Sequence, residues 1–217
     1  MANSDIRAVL WDFGGVLTDS PFEAFRNYER SHGLPPDFIR TLNARNPDSN
    51  AWARFERSEI SLDAFDQAFA AEALAAGHSV LGRDVVKLLY GRIRPEMVEA
   101  LRRCARFYRN ACLTNNVNAG SGHGLPTSDE RAAEVQQVLG MFDMVIESRK
   151  VGVRKPDPAF YRLALEAMQI EPRQAVYLDD LGINLKPARA LGMHTIKVGE
   201  SAPALAALQD ILQIPLS

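Results

Sequence analysis

Six residues of this 217-residue chain have the types and the placement to do chemistry together. Asp12 closes the apolar run Ala8-Val9-Leu10-Trp11 and is followed, after Phe13, by Gly14 and Gly15. Thr114 and Asn115 follow the apolar run Ala111-Cys112-Leu113. Lys155 lies in "GVRKPDPAFY", just ahead of a helical pattern, and Asp179-Asp180 end the apolar run of "AVYLDDLGIN". Three carboxylates, a hydroxyl, an amide and an amine in one crevice would suit an oxygen-ligated cation with an anionic substrate. Crowded carboxylates repel unless a lysine or a metal relieves them. Oxygen donors without a cysteine or histidine set point to Mg²⁺ rather than zinc. Taken singly, each residue also has a plainer reading. Asp12 suits a turn, Thr114-Asn115 a strand end, Lys155-Pro156 a solvated loop, and Asp179-Asp180 a helix cap.

The elements that must carry these residues follow from hydrophobic pattern. Short apolar runs over Ile6–Phe13, Ala111–Thr114, Met144–Ile146, Ala175–Leu178 and Thr195–Val198 read as buried parallel strands. Helical patterns alternate with them over Pro95–Phe107, Ser128–Leu139, Asp157–Met168, Leu185–Leu191 and Ala202–Leu212. Pro95 suits a first helical turn, while Ser128 suits a cap. Strand and helix in alternation predict an α/β fold, a doubly wound, Rossmann-like parallel sheet with helices on both faces. In such sheets ligands bind beyond the carboxyl ends of the strands, where Asp12, Thr114 and Asp179 fall.

Residues 21–94 break the alternation and look helical throughout, over Phe22–His32, Asp37–Ala44, Ala51–Glu56, Leu62–Ala76 and Arg83–Tyr90. Gly33-Leu34-Pro35-Pro36 and Asn46-Pro47-Asp48 break the pattern between them. Phe65 and Phe69, four apart, read as core of an all-helical domain inserted after the first strand. The expected division is therefore 1–20 with 95–217 as the α/β core and 21–94 as a helical cap. The glycine-rich stretch "NVNAGSGHGLPTSDE", residues 116–130, is expected to be a mobile loop.

Bulk properties exclude several classes. The formal net charge is −2, with 47% hydrophobic and 24% charged residues, an ordinary soluble composition. That charge argues against nucleic acid as partner, and Arg102, Arg103 and Arg106 read as a solvated helix face. Cys104 and Cys112 permit one disulfide at most and have no metal-ligand spacing. No apolar run reaches membrane-spanning length, and the first residues lack the pattern of a secretory leader. A cytoplasmic protein is the expectation.

In order, "VLWDFGGVLT", "CLTNN", "VRKPDPAFY" and "YLDDLGIN" resemble the four motifs of the haloacid dehalogenase-like hydrolase superfamily. The likeness is greatest to the amino-terminal phosphatase domain of soluble epoxide hydrolase and to related domains fused to acyl-CoA dehydrogenases. It is densest in "MVIESRKVGVRKPDPAFY" and "VYLDDLGINLKPARALGM" and spans essentially the whole chain. The resemblance implies a Mg²⁺-dependent phosphatase acting on a small phosphorylated molecule through an aspartyl-phosphate. Asp12 would be the nucleophile, Thr114 with the backbone N–H of Asn115 would hold phosphoryl oxygens, and Lys155 would neutralise charge. Mg²⁺ would be held by Asp12, the carbonyl of Gly14 and Asp180, with Asp179 close by and Asn184 bracing the loop.

One position departs from the pattern. Most phosphatases resembled carry a second aspartate two residues after the nucleophile, as general acid and base; here that residue is Gly14. A carbonyl survives the change and the acid does not. Glu56, Glu59, His78 and His123 are conceivable substitutes, and Asp19 is nearer in sequence. Two other readings stay open. A haloacid dehalogenase expels halide, which needs no proton, but has little use for an extra acidic pair. A phosphate- or partner-binding module with weakened chemistry would also tolerate Gly14.

Overall fold

The computed structural model describes residues 5–89, 91–115 and 129–216. Among these residues five parallel strands, β1 (Ala8–Trp11), β2 (Arg109–Thr114), β3 (Met144–Glu147), β4 (Ala175–Asp179) and β5 (His194–Lys197), form one sheet in the order β3-β2-β1-β4-β5. The first strand is thus central, flanked by β2 and β4, and the chain reverses its direction of growth there. Each strand expected from the apolar runs is present. β1 is shorter at both ends than its apolar run, while β2 starts two residues early, at Arg109.

All four β1 residues are buried. Their side chains alternate between two cores, as the two-residue period of a strand requires. Val9 and Trp11 join Met97, Leu101 and Leu208 on one face; Ala8 and Leu10 join Phe160, Ala164 and Leu185 on the other. Both faces are therefore helix-covered, which explains why these strands read as continuous apolar runs. Trp11 is fully buried, and its indole N–H donates to Asn110 Oδ1 at 2.9 Å, so the polar end is satisfied.

The covering helices are α6 (Pro95–Cys104), α7 (Asp129–Leu139), α8 (Ser148–Val151), α9 (Pro158–Met168), α10 (Gly182–Ala190) and α11 (Ser201–Leu212). Pro95 begins α6 in its first turn, as its fixed φ favours. Asp157 caps α9 by accepting from the Ala159 N–H at 2.8 Å. The expected Ser128 cap, and most of the loop 116–130, fall outside the described residues. Helix α10 starts three residues ahead of its apolar pattern, at Gly182, and accommodates Pro187.

Among the described residues, five helices lie between β1 and α6: α1 (Pro21–Ser31), α2 (Phe38–Ala44), α3 (Ala51–Glu56), α4 (Leu62–Ala75) and α5 (Gly82–Lys87). They enclose a core of their own, in which Phe55 and Phe65 stack at 4.4 Å and Phe69 lies 5.4 Å from Phe65. The two chain crossings that connect this segment to the sheet run side by side. Asp19 N–H donates to Arg92 O at 2.8 Å, and Arg94 N–H to Leu17 O at 2.9 Å.

Cys104 and Cys112 are free and buried, so the possible disulfide is not formed, and burial pushes the Cys104 thiol up to about 12. Among the described residues no helix is long and apolar enough to cross a membrane. Arg102 and Arg103 pair with Glu99 on their own helix.

Phe65 is central to the helical core and wholly buried. Phe65→Ala is expected to destabilise the protein by about 3–5 kcal/mol through lost burial and the cavity left behind. Chemical denaturation of the two proteins measures it.

Candidate active site

Asp12 follows β1 directly, and its N–H still donates to Leu178 O on β4 at 2.9 Å. Trp11 pairs with Leu178, so Asp12 and Asp179 emerge one residue further along adjacent parallel strands. This places two carboxylates at one sheet edge, and both are buried. Lys155, 1% exposed, lies between them, donating to Asp12 Oδ1 at 2.8 Å and to Asp179 Oδ2 at 2.9 Å.

The amine is held from behind. Asn115 Oδ1 accepts the Lys155 N–H at 2.8 Å while Asn115 Nδ2 donates to Lys155 O at 3.0 Å. A residue at the end of β2 thereby fixes the backbone of the loop that delivers the lysine. The Lys155-Pro156 peptide is cis. Thr114, half-buried, is the last residue of β2 and pairs with Glu147 of β3.

Asp179 and Asp180 are neighbours with different surroundings. Asp179 Oδ1 accepts the Leu181 N–H at 2.8 Å; Oδ2 accepts the Tyr177 hydroxyl and Lys155; Asn184 Nδ2 lies 3.1 Å from each oxygen. Tyr177 and Asp179 share one face of β4, two residues apart, which is why the hydroxyl reaches the carboxylate. The Asp180 carboxylate accepts the Ser20 hydroxyl at 3.4 Å. Ser20 precedes α1 without capping it through its side chain.

The electrostatics follow from burial. Desolvation raises Asp12 well above the usual carboxylate range; Lys155 opposes this, and Asp179 and Asp180 add to it. Asp180 is pushed up to about 6, chiefly by burial and then by Asp179. Burial acts against charge on Asp179 too, yet Lys155, the Tyr177 hydroxyl and the Leu181 N–H together hold it below its ordinary value. For Lys155, burial disfavours the ammonium but Asp12 and Asp179 more than reverse that, so its affinity for the proton is raised. Three carboxylates against one ammonium leave negative charge uncompensated. Asp12, Asp179 and Asp180 can each present an oxygen within 4.8 Å of the others. An all-oxygen set under mutual repulsion fits a hard divalent cation.

The two glycines after Asp12 differ in what requires them. Gly15 has φ 75° and packs on Asp180, so closely that a β-carbon there would overlap the carboxylate. Gly14 lies outside the left-handed region, and a β-carbon there would meet nothing within 4 Å.

Of the residues considered in place of an acid at position 14, Glu56 comes nearest to the lysine loop. It is buried at the end of α3, where it pairs with Arg154, and its carbonyl accepts the Ser148 hydroxyl at 2.7 Å. Burial raises its carboxyl, with Arg154 and Trp52 acting in the opposite direction. Glu59 is exposed and paired with Arg57 at 2.6 Å. His78 packs against Phe38 in the helical segment. Asp19 pairs with Arg92 at 3.4 Å and Arg94 at 3.7 Å. His123 lies outside the described residues. Tyr177, Ser20 and Arg154 were not singled out by sequence reasoning; the i, i+2 placement of Tyr177 before Asp179 was the one usable signal.

The sequence profile of the haloacid dehalogenase-like hydrolases matches residues 6–192. The chain belongs to this family. Among its curated relatives is acyl-CoA dehydrogenase family member 10 of Mus musculus, 33% identical over 97% of this chain and 19% of that protein. Bifunctional epoxide hydrolase 2 of the same species is 28% identical over 95% of this chain and 39% of that protein. This haloacid dehalogenase-like hydrolase thus spans less than half the length of either, and the resemblance read from its four motifs is borne out. A phosphatase of Mycobacterium tuberculosis (strain CDC 1551 / Oshkosh) is 28% identical over 90% of this chain and 88% of its own. Two solved structures share the fold. One is a family enzyme of Bacteroides thetaiotaomicron in complex with magnesium and inorganic phosphate, with TM-score 0.61, 20% identity and coverage of 91% of this chain and 97% of that one. The other is the L-2-haloacid dehalogenase of Xanthobacter autotrophicus with chloropropionic acid covalently bound, with TM-score 0.59, 20% identity and coverage of 94% and 82%.

Removing the lysine isolates two buried carboxylates. Lys155→Met is expected to lower stability by about 3–5 kcal/mol, and adding Asp179→Asn should return part of that loss. Denaturant titration of the single and double variants checks it.

Proposed function

We propose that this hydrolase is a Mg²⁺-dependent phosphatase that cleaves a small phosphorylated molecule through an aspartyl-phosphate on Asp12. The observation that carries the reading is the buried Lys155 ammonium shared between Asp12 and Asp179, with Asp180 beside them. A dianionic phosphoryl group can approach a carboxylate only where positive charge offsets the repulsion. Lys155 supplies one such charge and has a third N–H beyond the two it donates. The name of the mycobacterial relative and the magnesium and phosphate in the Bacteroides enzyme support the same reading.

In this proposal Asp12 attacks phosphorus, Thr114 and the Asn115 N–H orient phosphoryl oxygens, and Lys155 holds nucleophile and phosphoryl group together. Asn115 also keeps Lys155 in place through its side chain. The residues to hold Mg²⁺ are Asp12, the Gly14 carbonyl and Asp180. When bound, the ion would supply charge neutralisation at the phosphoryl oxygens. Asp179 is close enough to be counted with them. Its oxygens already receive Lys155, Tyr177, Leu181 and Asn184, so we assign it instead to positioning Lys155. Residues 21–94 serve as the cap and 1–20 with 95–217 as the catalytic core.

The alternative is a haloacid dehalogenase, favoured by one observation: Gly14 offers no acid, and halide leaves without a proton. The acidic pair at the end of β4 weighs against it.

Phosphate release from p-nitrophenyl phosphate is expected only with Mg²⁺ present, and Asp12→Asn should abolish it. Asp180→Asn should weaken Mg²⁺ binding by at least tenfold in calorimetry, whereas Tyr177→Phe should leave it nearly unchanged. Halide release from 2-chloropropionate without metal, and no phosphate release, would decide for the dehalogenase.

A further inference from the structure

Ester hydrolysis leaves an alkoxide unless some group hands it a proton. In the turn that follows Asp12, residue 14 has no side chain to offer. Neither crowding nor backbone conformation calls for glycine: the position is open and its φ is not left-handed. Gly15, by contrast, is required both by its φ and by the closeness of Asp180.

The remaining proton carriers around the crevice are committed elsewhere. Lys155 donates to Asp12 and Asp179, and its remaining N–H is the one assigned to the phosphoryl group. The Tyr177 hydroxyl donates to Asp179, and that of Tyr161 to Asn184 O at 2.7 Å. Ser20 donates to Asp180, and the Glu56 carboxylate is paired with Arg154. Each of these groups thus has a partner that is not the leaving group.

We propose, resting on the phosphatase reading above, that the substrate is a mixed anhydride of phosphoric acid, an acyl phosphate or a phosphoanhydride, whose leaving group departs as a stable anion. For an acyl phosphate, an Asp12 oxygen forms the new bond to phosphorus while the bond from phosphorus to the bridging oxygen breaks. The electron pair leaves with the carboxylate, and no proton is transferred. Water then attacks phosphorus, Asp12 is released as carboxylate, and both water protons stay with the phosphate product. A positioned acid is worth about 10²–10⁴-fold for a basic leaving group and next to nothing for one already stable as an anion.

The test is kcat/KM of the Mg²⁺-loaded protein, corrected for the Asp12→Asn blank. Its substrates are acetyl phosphate, inorganic pyrophosphate, glycerol phosphate and a series of aryl phosphates from nitrophenyl to phenyl. At least one anhydride is expected to exceed glycerol phosphate by about 10²-fold or more. The aryl series should fall steeply as the phenol becomes more basic. Acetyl phosphate ahead of pyrophosphate assigns an acyl phosphate; the reverse order assigns a phosphoanhydride. Gly14→Asp should raise kcat/KM for glycerol phosphate and flatten the aryl series. Phosphate release with glycerol phosphate equal to both anhydrides, or with a flat aryl series in the unaltered protein, would overturn the substrate class and leave the phosphatase reading standing. No release from any of these compounds overturns both.

Discussion

The arrangement depends on one buried ammonium. Lys155 is almost wholly withdrawn from water, and a charge so placed must be met by opposite charge and hydrogen bonds or be lost. Asp12 and Asp179 meet it, and each reaches it for the same reason: β1 and β4 are adjacent and in parallel register, so their carboxyl ends coincide. The sheet order therefore does more than pack two cores. It sets the spacing of two acids around one base.

A division of labour within the acidic pair follows from that requirement. Consecutive residues leaving a strand point in different directions, so Asp179 and Asp180 cannot share an environment. Asp179 faces the Lys155 side, where Tyr177 and Asn184 also bind it, and its charge is favoured. Asp180 faces the turn after Asp12, against Gly15 and Ser20, with burial working against its charge. A carboxylate in that state gains from a cation, which is the physical basis for giving it the metal. The same geometry makes Gly15 obligatory and leaves Gly14 free.

The helical segment is tied to this centre at two places. The crossings at 17–19 and 92–94 fix where it leaves and rejoins the core. A second attachment joins Glu56 and Pro47 to Ser148 and Arg154; Arg154 also donates to Pro47 O at 2.6 Å. Arg154 is the neighbour of Lys155 in sequence, so the packing of the proposed cap and the placement of the amine are mechanically linked. Any movement of the segment away from the core must part Glu56 from Arg154.

Strands and helices were legible because local pattern carries them: β1 and β4 are buried along their whole length, β2 and β3 over most or half of theirs, and α9 and α6 begin on residues suited to a cap and a first turn. Their boundaries were less so, since α10 begins in a segment without apolar periodicity and β2 gains residues through pairing to β1. Asp12, Thr114 and the acidic pair could be picked out from residue type at strand ends, and Lys155 from the loop ahead of α9. Parallel strands share a direction, so the strand-end residues among them were expected at one edge, within reach of Lys155. What tertiary structure alone decided is who holds whom: Asn115 clamping the backbone of Lys155, Tyr177 engaging Asp179, Glu56 bound to Arg154. Those contacts join residues 40 and 98 positions apart or depend on which face of a strand meets a loop. Periodicity reports which side chains are buried. It carries no information about the partners they find there, because hydrogen-bond geometry is set by the packing of distant segments.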